Sequence, residues 1–520
     1  MGKKVLVVFF FLVGLMGYAQ YPNVVIGDTQ SPEETSIAIN PKNPNQVVAG
    51  ANIDLFYSSD DGGITWQGGN LTSTYSVYGD PCLFSDTAGN FYFIHLSNPS
   101  FGNWIDRIVC QKSTDGGLTW SDGSYMGLNG TKAQDKAWAA VDPRTNIIYV
   151  TWTQFDVYGT SNPADSSVIL FSRSTDGGLT WSQAKRINRV AGDCVDSDNT
   201  VEGAVPAVGP NGEVYVAWAG PVGLVFNRSL DHGETWMDTN VFVSDIPGGW
   251  DYSIPGIYRA NGLPVTCCDL SQSPYRGNIY INWSDQRNGS TDTDIWFIKS
   301  SDGGLTWSPR KRVNDDPPGK DQFFTWMTVD SKTGIIYFVF YDRRAYTNTS
   351  TDVYMAVSRD GGESFQNLKI SDSPFTPNPA VFFGDYTNIA AYNNLVRPIW
   401  TRLDGDQLSI LTTLIDSLYT GTGAGQKPES YLSTSLDQNY PNPGKSYTII
   451  SYKVRRPVRV TLAVFDLLGR KITTLVDNKL SQAGRYIENF DISHFDLKPG
   501  LYYYSLVDNE HSIRRKMIVE

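Results

Sequence analysis

The stretch Ser113-Thr114-Asp115-Gly116-Gly117-Leu118-Thr119-Trp120 constrains the fold more than any other part of this 520-residue chain, because its frame, Ser-x-Asp-x-Gly-x-Thr-Trp, is repeated. Copies run from Ser59 to Trp66, Ser174 to Trp181, Ser229 to Trp236 and Ser300 to Trp307, with a weakened sixth from Ser358 to Phe365. The aromatic positions 66, 120, 181, 236, 307 and 365 are separated by 54, 61, 55, 71 and 58 residues. Self-similarity at such spacing marks a repeat architecture.

Each copy has the chemistry of a tight turn between two strands. Ser and Asp oxygens accept the turn's own N–H groups, Gly supplies positive φ, and the aromatic ring covers the base of the hairpin. Asp61, Asp115, Asp176, Asp231, Asp302 and Asp360 are therefore expected to be structural. Between boxes a second pattern recurs: a short apolar strand, a turn, and a strand of alternating aromatic and β-branched residues. Six such pairs precede boxes, and a seventh, Tyr386 to Tyr392 with Leu395 to Arg402, has none. The unassigned strand Pro22 to Asp28 is expected to complete that seventh unit, because a ring abolishes sheet edges only when its ends are joined.

The box resembles the Asp-box, or BNR repeat, of sialidases and other β-propellers. The resemblance implies an all-β, seven-bladed sialidase-like β-propeller, with six blades as the alternative because there are six boxes. It also implies that the boxes lie on the periphery, away from the ligand face.

The domain plan follows from composition. Lys3 and Lys4, the apolar run Val5 to Met16 and a small-residue exit describe a signal peptide over residues 1–20. The propeller is expected over 21–419 and a Thr/Gly-rich linker over 420–433. No segment after the leader approaches the ~20 apolar residues of a membrane-spanning helix. A net charge of −12, with no basic cluster in the first four hundred residues, argues against nucleic acid as a partner.

Residues 434–520 alternate like a small Ig-like sandwich. Leu436-Asp437-Gln438-Asn439-Tyr440-Pro441-Asn442-Pro443, Leu468-Gly469-Arg470, Pro499-Gly500-Leu501-Tyr502-Tyr503-Tyr504 and Lys516-Met517-Ile518-Val519 resemble the type A sorting domain of the type IX secretion system of Bacteroidetes. The likeness implies a secreted or outer-membrane surface-attached protein whose partners include that machinery. Gly444-Lys445-Ser446-Tyr447 departs from the family's usual Phe-Asn-Pro stretch.

Chemistry is expected on the face opposite the boxes, where first strands begin and second strands end. Asp135, Asp285, Asp342 and Asp385 are the candidate catalytic carboxylates. Arg287, Arg343, Arg344 and Arg402, with Glu34, Asp80, Glu202 and Asp321, are the candidate substrate-binding groups. Acids gathered at one mouth raise one another's pKa, and arginines relieve that repulsion or clamp a substrate carboxylate. The competing reading is that these groups brace strand ends. Sialidases, by resemblance, carry an Arg-Ile-Pro element before the first box, and no arginine precedes Trp66 here. The expected activity is thus hydrolysis or binding of another extracellular glycan or glycoprotein; a non-enzymatic adhesin or protein-binding platform is the alternative. Asp193, Asp196 and Asp198 are spaced like oxygen ligands for calcium. Of the five cysteines, Cys194 is expected to pair with Cys267 or Cys268.

Overall fold

The structure, a computed structural model, describes residues 21–416 and 435–520, save 437, 440, 455–457, 468, 482–483, 496 and 509–511. The expected signal peptide and linker lie outside the described residues. The chain divides into two compact units, 1–418 and 419–520. Among the described residues no helix is long and apolar enough to cross a membrane.

The first unit contains seven four-stranded antiparallel sheets, each built from strands consecutive in sequence except the last. Their innermost strands, in blade order, are Ser36–Ile39, Cys82–Ser85, Ala133–Val141, Glu202–Val208, Val265–Cys268, Gln322–Val329 and Asn388–Tyr392. Each touches the next, and Asn388–Tyr392 touches Ser36–Ile39, so the ring is closed. In blade 7 the outermost strand is Asn23–Gly27, paired antiparallel to Gln407–Thr413 with Asn23 opposite Thr413. The seam is pinned to blade 6 by Asn23, whose Nδ2 donates to Ile370 O at 2.7 Å.

The second strands are buried on both faces, as strands between neighbouring blades must be. Phe91–Leu96, Ile148–Phe155, Ile279–Asp285 and Ile336–Asp342 are buried throughout. Box turns lock adjacent blades. Asp115 Oδ1 accepts from the backbone N–H of Leu118 and Thr119 at 3.1 and 3.0 Å, and Gly117 N donates to Ser113 Oγ at 2.9 Å. The same pattern surrounds Asp61, Asp176, Asp231, Asp302 and Asp360. Box aromatics reach onto the preceding blade: Trp120 packs on Phe56, Trp236 on Phe171 and Trp307 on Phe226 at 6.0, 5.0 and 5.2 Å.

All five cysteines are free, which corrects the expected Cys194–Cys267 or Cys194–Cys268 bridge. Cys194 sits in a loop whose carbonyl accepts from Gly159 N at 2.7 Å. Cys267 lies instead on the inner strand of blade 5, its thiol turned to Met327 O at 3.3 Å.

The second unit has a three-stranded and a four-stranded antiparallel sheet. They enclose one core that includes Leu436, Ile450, Leu462, Phe490, Tyr504 and Met517.

Candidate functional site

The mouth ends of the inner strands share a backbone device. Glu34, Asp80, Lys136, Gly203 and Phe324, from five blades, have φ of 50°, 54°, 49°, 75° and 49°. In blades 3, 4 and 6 this residue falls within a register break of the ladder. Such bulges re-aim side chains, and a non-glycine residue held at positive φ costs about 1 to 3 kcal/mol. Repeated around the ring, this strain accompanies a gathering of charge.

At its centre is Lys136. Its Nζ lies 2.7 Å from Asp385 Oδ2, 3.6 Å from Asp80 Oδ2 and 3.8 Å from Glu34 Oε1. Arg259 grips Asp385 with two N–H groups, Nε at 2.7 Å and Nη2. Asn261 Nδ2 donates to the Asp385 carbonyl at 2.9 Å. Asn52 donates to both Glu33 and Glu34 and accepts from Asp80 N. Glu33, Glu34, Asp80, Asp135, Asp196, Glu202 and Asp385 thus share this region with the two cations Lys136 and Arg259.

Burial sets protonation here, and the excess of acids over cations adds to it. Burial, reinforced by Asp80, pushes Asp135 up to about 7. Glu33 is also pushed up to about 7, mainly by burial. Glu202, 1% exposed, is raised well above the usual carboxylate range by burial and by Asp196 and Asp135. Burial raises Glu34 too, against the pull of Lys136. Asp385 goes the other way: Lys136 and Arg259 overcome burial and hold it well below its ordinary value.

Above this cluster opens a cavity of about 240 Å³ lined by Asp135, Lys136, Tyr158, Asp196, Glu202, Trp250, Asp251, Arg259, Asn261 and Asp385. Its roof comes from an insertion carrying a two-stranded ribbon, Asp251–Tyr252 with Ala260–Asn261. Trp250 Nε1 anchors the insertion to Thr200 O at 3.1 Å. Below, Trp138 packs at a tilt against Trp326 and edge-on against Tyr386, with ring centroids 4.5 and 4.9 Å apart. On the far side of these rings the inner strands line a second cavity of about 490 Å³.

The structure brings together Glu34, Asp80, Asp135, Glu202 and Asp385. The other expected site residues are each engaged by partners outside this cluster. Asp285 accepts from Arg287 Nε at 2.9 Å and Trp283 Nε1 at 2.7 Å, while Arg287 stacks 4.8 Å over Trp296. Asp342, pushed up to about 6 mainly by burial, accepts from Arg344 Nε at 2.9 Å, and Arg344 lies 4.3 Å over Tyr354. Arg343 donates to Pro255 O and Thr351 Oγ1, with Asp321 at 4.0 Å. Arg402 is held by Asp404 and Ser373 O. The expected arginine clamp is therefore corrected to a set of strand-end braces.

The calcium expectation is corrected as well. Asp193 accepts from Thr200 Oγ1, Asp198 from Asp251 N, and Asp196 from Tyr158 Oη at 2.5 Å, so the three carboxylates serve different partners. Among the described residues no group of three or more His, Cys, Asp or Glu is arranged to hold a metal ion. Asp196 belongs to the mouth cavity instead. Sequence reasoning missed Lys136, Tyr158, Trp250, Arg259 and Asn261. For Trp250, Arg259 and Asn261 the available signal was the 71-residue step between Trp236 and Trp307, the longest in the series, which contains the ribbon.

Residues 438–520 match the family model described as "Secretion system C-terminal sorting domain". No curated protein matches the chain. Solved structures similar to it include a protein of unknown function from Dyadobacter fermentans, 12% identical, covering 76% of this chain and 98% of that one at a TM-score of 0.42. Others are the NanB sialidase of Streptococcus pneumoniae, 10% identical over 71% and 83% at 0.43, and the polysaccharide lyase PL25 ulvan lyase, 12% identical over 76% and 96% at 0.45. The sorting domain makes the chain a secreted or surface-attached protein.

Proposed function

We propose that the propeller is an extracellular glycan-recognition module whose ligand enters the mouth cavity. The observation that carries the reading is the cavity's make-up. Aromatic side chains, Tyr158 and Trp250, stand beside buried carboxyls, so apolar ring faces and hydrogen-bonding groups converge in one concave site. Sugars carry both kinds of surface.

Recognition is favoured over bond cleavage because the carboxylate held most firmly ionised, Asp385, is already engaged by Lys136 and Arg259 and lacks a free role as base or nucleophile. A sugar carboxylate is disfavoured for the same reason, since Arg259 is committed to Asp385 and Arg287, Arg343, Arg344 and Arg402 to their braces. The test is a glycan array and a panel of chromogenic glycosides on the full-length secreted protein, with Glu202→Gln as control. Glycan binding lost in the variant supports the reading. Turnover of a glycoside would convert it to a hydrolase, and silence in both screens would leave a protein-binding disc.

A further inference from the structure

Resting on the glycan reading, we propose that the sugar recognised at the mouth carries a free amino group, bound as an ammonium by Asp135, Asp196 and Glu202. The cavity wall holds carboxyls from Asp135, Asp196, Glu202, Asp251 and Asp385 against only two cations, Lys136 and Arg259, both already spent on Asp385. Glu202 Oε1 is fully buried at this wall and has no hydrogen-bond partner, the kind of oxygen that a bound donor satisfies. An ammonium offers three donors and one positive charge, which is what this lining lacks. Burial biases Asp135 and Glu202 toward their neutral forms in the empty cavity, and a bound ammonium lets them ionise as its counter-charges, which a neutral hydroxyl does not.

The surroundings favour a sugar chain over a lysine side chain. Tyr158, which lines the cavity, packs edge-on against Trp104 at 5.1 Å, and Trp104 against Tyr78 at 6.3 Å. Trp104 and Tyr78 are 43% and 39% exposed, so an aromatic strip leads out of the cavity across blade 2. Exposed aromatics contiguous with a polar pocket suit the apolar faces of successive rings.

Calorimetry on the full-length protein, with a β-1,4-linked glucosamine tetramer, its N-acetylated counterpart, cellotetraose and tetralysine as probes, tests this. The glucosamine tetramer is expected to bind at least about tenfold tighter than the two neutral tetramers and than tetralysine. Glu202→Gln and, separately, the half-buried Asp196→Asn should erase most of that preference at unchanged melting temperature. Trp104→Ala should weaken the tetramer severalfold and leave glucosamine itself unaffected. Neutral tetramers binding equally well would overturn the ammonium assignment while leaving the glycan reading intact. Tetralysine binding as tightly as the sugar would replace the glycan with a basic peptide. Failure of all four probes, with a different glycan positive on the array, would also overturn the inference; a blank array would remove the glycan reading itself.

Discussion

Lys136 of blade 3 and Asp385 of blade 7 meet at 2.7 Å although their blades are not neighbours in the ring. The contact spans the mouth, and with Asp80 and Glu34 nearby it ties blades 1, 2, 3 and 7 through a single ammonium. Removing one partner of a buried ion pair costs about 3 to 5 kcal/mol, mostly through the charge left behind. Lys136→Met should therefore lower unfolding free energy by about that amount, measured by denaturant titration. The double variant with Asp80→Asn should recover part of the loss, because Asp80, unlike Asp385 with its Arg259, is left without a cation when Lys136 is gone. Additive losses would mean that Lys136 and Asp80 are not coupled.

Two carboxyls that look alike in sequence should behave oppositely. Asp342 is braced by Arg344, so Asp342→Asn is expected to cost about 3 kcal/mol and to leave ligand affinity unchanged. Burial raises Glu202 and one of its oxygens has no hydrogen-bond partner, so Glu202→Gln should leave stability almost unaltered while ligand affinity falls. Thermal melts paired with binding isotherms for the two variants check both halves.

Five mouth acids were legible because topology alone fixes where first strands begin: Glu34, Asp80, Asp135, Glu202 and Asp385 needed only the repeat and its strand order. The braces were not separated from them, although Asp285-Gln-Arg287, Asp342-Arg-Arg344 and Arg402-Leu-Asp404 each place opposite charges two residues apart at a strand end. In that spacing both side chains project on one face, and each arginine satisfies its own aspartate. Lys136 was hidden for a different reason. Strict alternation puts it on the face opposite to Asp135, and only the bulge at φ 49° turns both toward the mouth. Arg259 lies in an insertion outside the repeat, whose conformation the repeat does not encode.

The box turns make a structural prediction. Gly117 sits at φ 87°, and a Cβ added there would fall inside the van der Waals envelope of Val48 Cγ2 on the preceding blade. Gly117→Ala therefore meets backbone strain and overpacking together, for a cost of about 2 kcal/mol or more. Ligand affinity of the folded fraction should be unchanged, since the box is on the other face from the mouth. A loss of affinity without a loss of melting temperature would place the box at the ligand site.

The mouth should make the protein most stable in mild acid. Asp135 and Glu33 have ordinary values of 3.8 and 4.5 and are raised to about 7 in the fold, so between these limits the folded state binds more protons than the unfolded chain. Their stabilising contribution is complete below their unfolded values and is lost as pH rises through 7. Glu34 and Glu202, also raised, extend the decline in the same direction. Asp385 has the opposite sign: held below its ordinary value, it stabilises at pH above that value and loses its contribution as pH falls further. Asp176, Asp231 and Asp360, each lowered to about 2, act with it. The melting temperature should thus peak at about pH 4 to 5 and fall steadily toward pH 8. For Asp135 alone the change corresponds to on the order of 4 kcal/mol at most. In a series of melts across this range, Asp135→Asn should flatten the descending limb and leave the acid limb in place. A stability curve that rises from pH 5 to 8 in the parent protein would mean that the mouth carboxyls are ionised throughout, and that the cluster is solvated rather than buried.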